Sequence, residues 1–118
     1  MNKNAIVHIE FSATNPEKSA RFYESIFGWK ITKFPGMDYF SFSGETGPGG
    51  GFPKAGERVK PGDVFVYIEV ESIEAVLARV EEAGGKTWIP KYSIPGVGDM
   101  AFFLDPTGNK VALIKSTE

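Results

Sequence analysis

The chain has 118 residues, which is the length of one ordinary domain, and we treat residues 1–118 as a single domain. Hydrophobic residues make up 42% of it and charged residues 24%, a balance typical of a folded globular protein that excludes an intrinsically disordered chain. The net charge of −2, without a local Lys/Arg cluster, argues against a nucleic-acid partner.

Two residue counts exclude whole classes of site. The chain has no cysteine, which rules out disulfides, thiolate catalysis and Cys-ligated zinc. His8 is the only histidine, so one chain cannot supply a two-histidine metal site. No apolar run approaches the length of a membrane span, and the first four residues lead directly into a strand pattern. We therefore predict no membrane partner and a cytoplasmic location.

The first half of the chain predicts a strand, a helix and three further strands. Residues 5–11 alternate and are rich in β-forming side chains, and this alternation puts His8 and Glu10 on the same face. Residues 14–17 offer a helix-capping side chain followed by proline, and Gly28 is a typical helix terminator. The further strands are predicted at 29–34, 39–43 and 51–52.

The second half predicts the same order of elements. Residues 64–70 alternate as a strand, Ser72 caps a helix with apolar residues at helical spacing, and Gly84 and Gly85 end it. The last strands are predicted at 86–89, 100–104 and 110–114. Between them, residues 92–98 are expected to form a flexible loop able to cover a site as a lid.

This internal repeat predicts the domain organisation. Each half is too short to bury one face alone, so the halves are expected to pack together or to pair across a dimer. We place module one at 4–53, a linker at 54–62 and module two at 63–115. The prediction is an α+β fold of two βαβββ modules that form a curved mixed sheet around a cleft.

Several segments also resemble a known family. They are the pattern FY…FGW at 22–29, the Gly-Gly pair after the second helix, and FFLDPTGNKVALI at 102–114. Together with His8 on the first strand, they resemble the vicinal oxygen chelate superfamily, which includes glyoxalase I, extradiol dioxygenases, fosfomycin-resistance enzymes and bleomycin-resistance proteins. The superfamily hosts many reactions, so the resemblance predicts the fold more strongly than the function.

The resemblance implies a metal site with one ligand from each of four strands. His8 matches the first ligand. The second falls within residues 49–52, which have no coordinating side chain, the third at Phe65 or Tyr67, and the fourth at Ala112. A catalytic zinc site normally needs three protein ligands. We therefore predict a metal-free member with no cofactor.

The candidate site residues are those expected to face the cleft. His8 is a candidate hydrogen-bonding group or general base, or else a histidine with a structural hydrogen bond. Glu10 is a candidate for fixing a cationic or hydroxylated ligand, for sharing a weak two-ligand metal site with His8, or for simple solvation at a strand edge. The aromatic candidates, which would give the cleft an apolar lining or merely fill the core, are Phe42, Phe65, Tyr67, Trp88 and Phe102.

Residues 39–43 leave one choice open. Phe40 and Phe42 alternate with Tyr39, Ser41 and Ser43, so that one of the two sets faces the cleft. The sequence does not decide between them. Phe42 is taken as the candidate ligand contact.

Three functions are compatible with these residues. The first is a metal-free, homodimeric protein that binds a small apolar or aromatic molecule in the cleft between the modules. The second is a lyase or a dioxygenase-type oxidoreductase that uses His8 as a base or metal ligand, with Glu10. The third is an accessory or interaction domain whose cleft is filled by its own side chains.

Overall fold

The computed structural model describes residues 3–57 and 59–117, which form two compact units. The first unit comprises residues 8–65, and the second comprises residues 3–7 together with 66–117. No helix within the described ranges has the length and apolar content needed to cross a bilayer. In chain order the elements are β1 (Ile6–Phe11), α1 (Pro16–Phe27), β2 (Lys30–Lys33), β3 (Phe40–Ser43), β4 (Gly49–Phe52), β5 (Val64–Glu69), α2 (Ile73–Glu82), β6 (Lys86–Ile94), β7 (Gly98–Leu104) and β8 (Lys110–Ser116).

The sheet of the first unit has the strand order β2-β3-β4-β1. Strands β1 and β4 are parallel, with His8 beside Gly49 and Glu10 beside Gly51. Strand β3 is antiparallel to both β2 and β4, with Ser41 opposite Gly51. The first strand of the module thus pairs with its last strand.

The second unit repeats this pairing in the order β5-β8-β7-β6. Strands β5 and β8 are parallel, with Tyr67 beside Ala112, and β7 is antiparallel to both β8 and β6. The N-terminal residues join this unit, because the Asn4 N–H donates to the Glu69 carbonyl and the Glu69 N–H donates to the Ala5 carbonyl. The predicted α+β class with two βαβββ modules is confirmed.

Local signals in the sequence set the ends of α1. The Asn15 side chain caps the helix by accepting a hydrogen bond of 3.1 Å from the Lys18 N–H, and Pro16 occupies the first turn, where its missing N–H is not needed. Gly28 ends the helix in the left-handed conformation, φ +69°, and donates its N–H to the Glu24 carbonyl.

Each helix packs against one face of its own sheet, but the two cores differ in composition. The first core is aromatic: Trp29 stacks on Tyr23 at 5.4 Å and on Phe42 at 4.4 Å between ring centroids. Its buried members are Ala13, Ala20, Phe40, Phe42 and Phe52. The second core is largely aliphatic, with Val70, Ile73, Ala101 and Leu113 buried.

Residues 92–98 differ from the sequence prediction. They do not form a loop but the end of the β6–β7 hairpin, whose turn is closed by the Val97 N–H donating to the Ile94 carbonyl at 3.0 Å. Gly96 has φ +79°, the conformation that a tight turn requires at this position. Pro90 is tolerated because β6 is the outer strand of its sheet.

The close approach of β4 to its neighbours predicts that Gly50→Ala destabilises the fold. A Cβ atom at Gly50 would lie 1.7 Å from the Ile9 carbonyl oxygen and 2.6 Å from the Phe42 ring. We expect a loss of about 3 kcal/mol or more in the free energy of unfolding, measured by denaturant titration. Gly56→Ala is the matched control, since nothing lies within 4 Å of its added Cβ. Equal stability of the two variants would contradict this packing.

Candidate functional site

Strand β1 positions two polar side chains on the sheet face opposite α1. The ring of Phe11 stacks on Tyr23 of α1 at 5.2 Å, so Phe11 lies on the helix side. Because neighbouring strand residues alternate, His8 and Glu10 project to the other side. The His8 side chain is 31% exposed and that of Glu10 is 12% exposed.

Tyr39 joins these two residues to form a polar cluster. Its hydroxyl donates a hydrogen bond of 2.7 Å to Glu10 Oε2 and lies 3.0 Å from His8 Nε2. His8 Nε2 is in turn 3.3 Å from Glu10 Oε2. The cluster of His8, Glu10 and Tyr39 therefore has three polar atoms in mutual hydrogen-bonding range. Tyr39 is 29 residues from Glu10 in the sequence, but all three residues belong to one unit.

Gly51 on β4 makes room for this arrangement. A Cβ atom at Gly51 would lie 1.8 Å from the Tyr39 hydroxyl oxygen and 2.2 Å from Cζ. Any larger residue at this position would meet the phenol ring, which crosses the sheet face directly above it. Glycine at residue 51 is therefore a condition for the contact between Tyr39 and Glu10.

The surroundings of Tyr39 keep it protonated. Burial raises the pKa of Tyr39 far above the ordinary value for tyrosine, and the negative charge of Glu10 and the hydrogen bond donated to it raise that pKa further. The phenol is thus a hydrogen-bond donor across the ordinary pH range.

Phe42 and Phe65, two of the aromatic candidates, are buried. Phe42 lies on the helix side of the sheet, where it contacts Trp29, Phe11 and Phe52, and it is 7% exposed. Phe65 is 1% exposed. The choice that the sequence left open at residues 39–43 is resolved by these contacts, because Phe42 belongs to the core and Tyr39 faces His8.

Three other aromatic candidates form a row in the second unit. Tyr67 and Phe102 meet edge to face at 5.9 Å, and Phe102 and Trp88 do so at 5.8 Å. The Lys110 ammonium lies 5.0 Å from the centre of the Trp88 ring, a cation–π contact. This aromatic row of Tyr67, Phe102 and Trp88 lies on the face opposite α2, since Ala101 and Leu113, the neighbours in alternation, pack in the helix-side core.

A family model for the Glyoxalase/Bleomycin resistance protein/Dioxygenase superfamily matches residues 5–113. The chain belongs to this superfamily. A glyoxylase-like domain-containing protein of Didymella fabae is 33% identical over 116 residues, covering 89% of this chain and 88% of that protein. The protein CFP32 of Mycobacterium bovis, named as a glyoxylase, is 29% identical over 112 residues, covering 89% of this chain. The chain spans only 43% of the length of this mycobacterial relative.

The superfamily fold is also found in a solved structure. A superfamily member from Vibrio splendidus 12B01 has a TM-score of 0.70 at 16% identity, covering 97% of this chain and 100% of that one. The predicted resemblance to the vicinal oxygen chelate superfamily is confirmed.

The residues of this chain do not fit the metal that the superfamily implies. Within residues 3–57 and 59–117, no three His, Cys, Asp or Glu side chains are grouped to hold an ion. Beside His8 and Glu10, β4 offers only Gly49 and Gly51, and Tyr39 fills the space above Gly51. In the second unit the neighbour of Tyr67 is Ala112.

The buried carboxylate of the second unit is committed elsewhere. Glu69 is 6% exposed and accepts hydrogen bonds of 2.8 Å from both the N–H and the hydroxyl of Ser116. It therefore secures the end of β8 and adds no ligand to a metal site.

Sequence reasoning did not select Tyr39 as a site residue. Two signals pointed to it: three consecutive glycines at 49–51, which leave space beside a neighbouring strand, and the alternation of Tyr39 with Phe40 and Phe42. Once the phenylalanines are assigned to the core, Tyr39 has to project to the face of His8.

The electrostatics of the cluster predict the behaviour of Glu10→Gln. Removing the carboxylate charge lowers the pKa of Tyr39, but burial, the largest cause, keeps it above the ordinary value. Because the pKa of Tyr39 is higher in the folded state than in the unfolded state, the contribution of Tyr39 to stability is complete below about pH 10. This contribution is lost as the pH rises through the folded-state pKa. Both proteins should begin to lose this contribution near pH 10, and the variant should lose less of it, because its folded pKa lies closer to the unfolded value. The Cζ resonance of Tyr39, followed by NMR against pH, measures the shift.

Glu45→Gln is the matched control for this experiment. It removes an exposed carboxylate from the same unit and should leave the Tyr39 titration unchanged. A Glu10→Gln titration that coincides with that of the wild type would show that Tyr39 and Glu10 are not in contact.

Proposed function

We propose that this domain binds a small apolar or aromatic molecule without a metal, at the sheet face of the first unit that carries His8, Glu10 and Tyr39. The observation that supports this most is the Tyr39 hydroxyl over Gly51, where β4 itself has no side chain that could bind a metal. A preformed, partly buried polar group is what a binding site uses to orient a ligand.

Apolar surface adjoins this polar cluster. The Phe34 ring meets the Tyr39 ring edge to face at 5.3 Å, and Phe34 and Met37 are both exposed on the β2–β3 connection. The Lys33 ammonium donates to the Met37 carbonyl at 3.0 Å and holds this connection in place. Exposed aromatic and apolar side chains beside a few polar atoms favour an aromatic or apolar ligand with a polar substituent.

In the second unit, Tyr67, Trp88 and Phe102 remain our proposed ligand contacts. They form a continuous aromatic row that ends at the half-buried Trp88 and Lys110. Phe42 is less suited to this role, because it packs against Trp29 in the helix-side core, and Phe65 is less suited because it is more deeply buried than these three, at 1% exposure.

An enzymatic function is the second candidate. It is favoured by the mutual contact of an imidazole, a phenol and a carboxylate within 3.3 Å, an arrangement suited to general acid–base chemistry with His8 as the base. The name of the fungal relative, a glyoxylase-like protein, is consistent with such chemistry. His8→Ala would abolish turnover in an enzyme but would change affinity only modestly in a binding protein.

An accessory domain is the third candidate. Tyr39 already fills part of the face above Gly51, as expected for a site closed by its own side chains. Such a domain would show no saturable binding of any aromatic compound, and this outcome would separate it from the first two candidates.

Native mass spectrometry of protein purified without chelators tests the proposal. We expect a dimer without a divalent ion, alone or with a small organic passenger, because a lone imidazole holds such ions weakly. One divalent ion retained per chain would contradict the proposal. His8→Ala is the matched variant, since loss of the ion in that protein would assign it to His8.

A further inference from the structure

The position of Tyr39 determines which atom of the polar cluster receives the phenolic proton. Its hydroxyl carries one proton and lies 2.7 Å from Glu10 Oε2, the usual length of a strong O–H···O hydrogen bond. An ionised carboxylate only accepts hydrogen bonds. The phenolic proton is therefore committed to Glu10, and the Tyr39 oxygen faces His8 as an acceptor.

This commitment decides the state of His8 Nε2. The nitrogen lies 3.0 Å from the Tyr39 oxygen and 3.3 Å from Glu10 Oε2, and both of these oxygens face it as acceptors. An unprotonated Nε2 would direct its lone pair at two oxygen lone pairs. A neutral imidazole has one N–H, and here that N–H belongs on Nε2, with Nδ1 as the acceptor nitrogen.

The proton pattern also defines the kind of ligand that suits the site. Glu10 contributes a negative charge that is 12% exposed at its side chain, and a second carboxylate brought to this face would be repelled by it. A neutral molecule with an O–H or N–H group meets no such repulsion and can donate a hydrogen bond to the acceptor atoms of the cluster.

We propose that Glu10 and Tyr39 fix His8 as its Nε2–H tautomer, and that the site consequently takes an aromatic molecule carrying an O–H or N–H donor rather than an aromatic carboxylate. The ligand half of this inference rests on the proposed function. Glu10 and Tyr39 act here as positioning residues for His8, and Gly51 acts through Tyr39.

Nitrogen NMR of the imidazole tests the tautomer directly, because His8 is the only histidine in the chain. In the neutral ring at alkaline pH, we expect the wild type to show the proton on Nε2. Glu10→Leu frees the phenolic proton to turn towards Nε2, so this variant should shift to the Nδ1–H tautomer. A merely structural role of Glu10 would not move the tautomer.

Controls keep this measurement decisive. Glu45→Leu, at an exposed position of the same unit, should retain the wild-type tautomer. An Nδ1–H signal in the wild type, or an unchanged tautomer in folded Glu10→Leu, would overturn the inference. If Glu10→Leu fails to fold, the wild-type spectrum alone still decides the tautomer.

Naphthol and naphthoate are the probes for the ligand, since they share a ring system and differ in the donor. Titrated against the His8 nitrogen resonances, naphthol should bind at least about tenfold more tightly than naphthoate. Tighter binding of naphthoate at His8 would overturn the donor preference and leave the proposed function intact. If neither probe perturbs His8 at any concentration, the proposed function itself fails.

Discussion

The hydrogen bond from Tyr39 to Glu10 across Gly51 is the interaction on which the candidate site depends. Glu10 is 9% exposed, and a buried carboxylate is costly unless donors compensate for the lost water. The Tyr39 hydroxyl supplies such a donor at 2.7 Å. Strand pairing makes this possible: parallel β1 and β4 put Gly51 beside Glu10, and antiparallel β3 and β4 put Ser41 opposite Gly51. Tyr39 precedes Ser41 by two residues and therefore shares its face.

The two halves of the repeat share one strand topology but carry different side chains at corresponding positions. Residues 8–11 read HIEF and residues 67–70 read YIEV, so Glu10 corresponds to Glu69 in the repeat. Both carboxylates are buried, but Tyr39 satisfies the first and Ser116 satisfies the second. Glu69 thereby ties β8 to β5, whereas Glu10 is joined to the imidazole of His8.

Because the side chains at these positions differ, the superfamily fold alone does not define the activity of this chain. Of the four positions that the resemblance assigns to metal ligands, only the first carries a metal-binding side chain, His8. The others fall within residues 49–52, at Phe65 or Tyr67, and at Ala112. The Tyr39 side chain occupies the space above Gly51, where the side chain of a larger residue would otherwise lie. In place of the four-ligand site that the resemblance implies, the chain has a polar cluster in one unit and an aromatic row in the other.

The sequence predicted those features that depend on neighbours along the chain. The Asn15 cap, Pro16 and Gly28 define α1, and period-two alternation placed His8 and Glu10 on one face. The end of the β6–β7 hairpin was not predicted, because residues 92–98 were expected to form a flexible loop, although a tight turn accepts Gly96. Contacts between side chains from different strands were not predicted either.

Tyr39 is the clearest of these missed features. Its partner Glu10 is 29 residues away in sequence, and their contact depends on the absence of a side chain at Gly51 on a third strand. Alternation alone left two faces open for residues 39–43. Only the packing of Phe42 against Trp29 decides which face Tyr39 takes.

A double-mutant cycle on the unfolding free energy tests this account most directly. Tyr39→Phe, Glu10→Leu and the double variant would be unfolded in denaturant beside the wild type. A hydrogen bond to a buried carboxylate predicts a coupling energy of about 1.5–3 kcal/mol. A coupling within about 0.3 kcal/mol of zero would mean that the two side chains act independently, which would contradict the account.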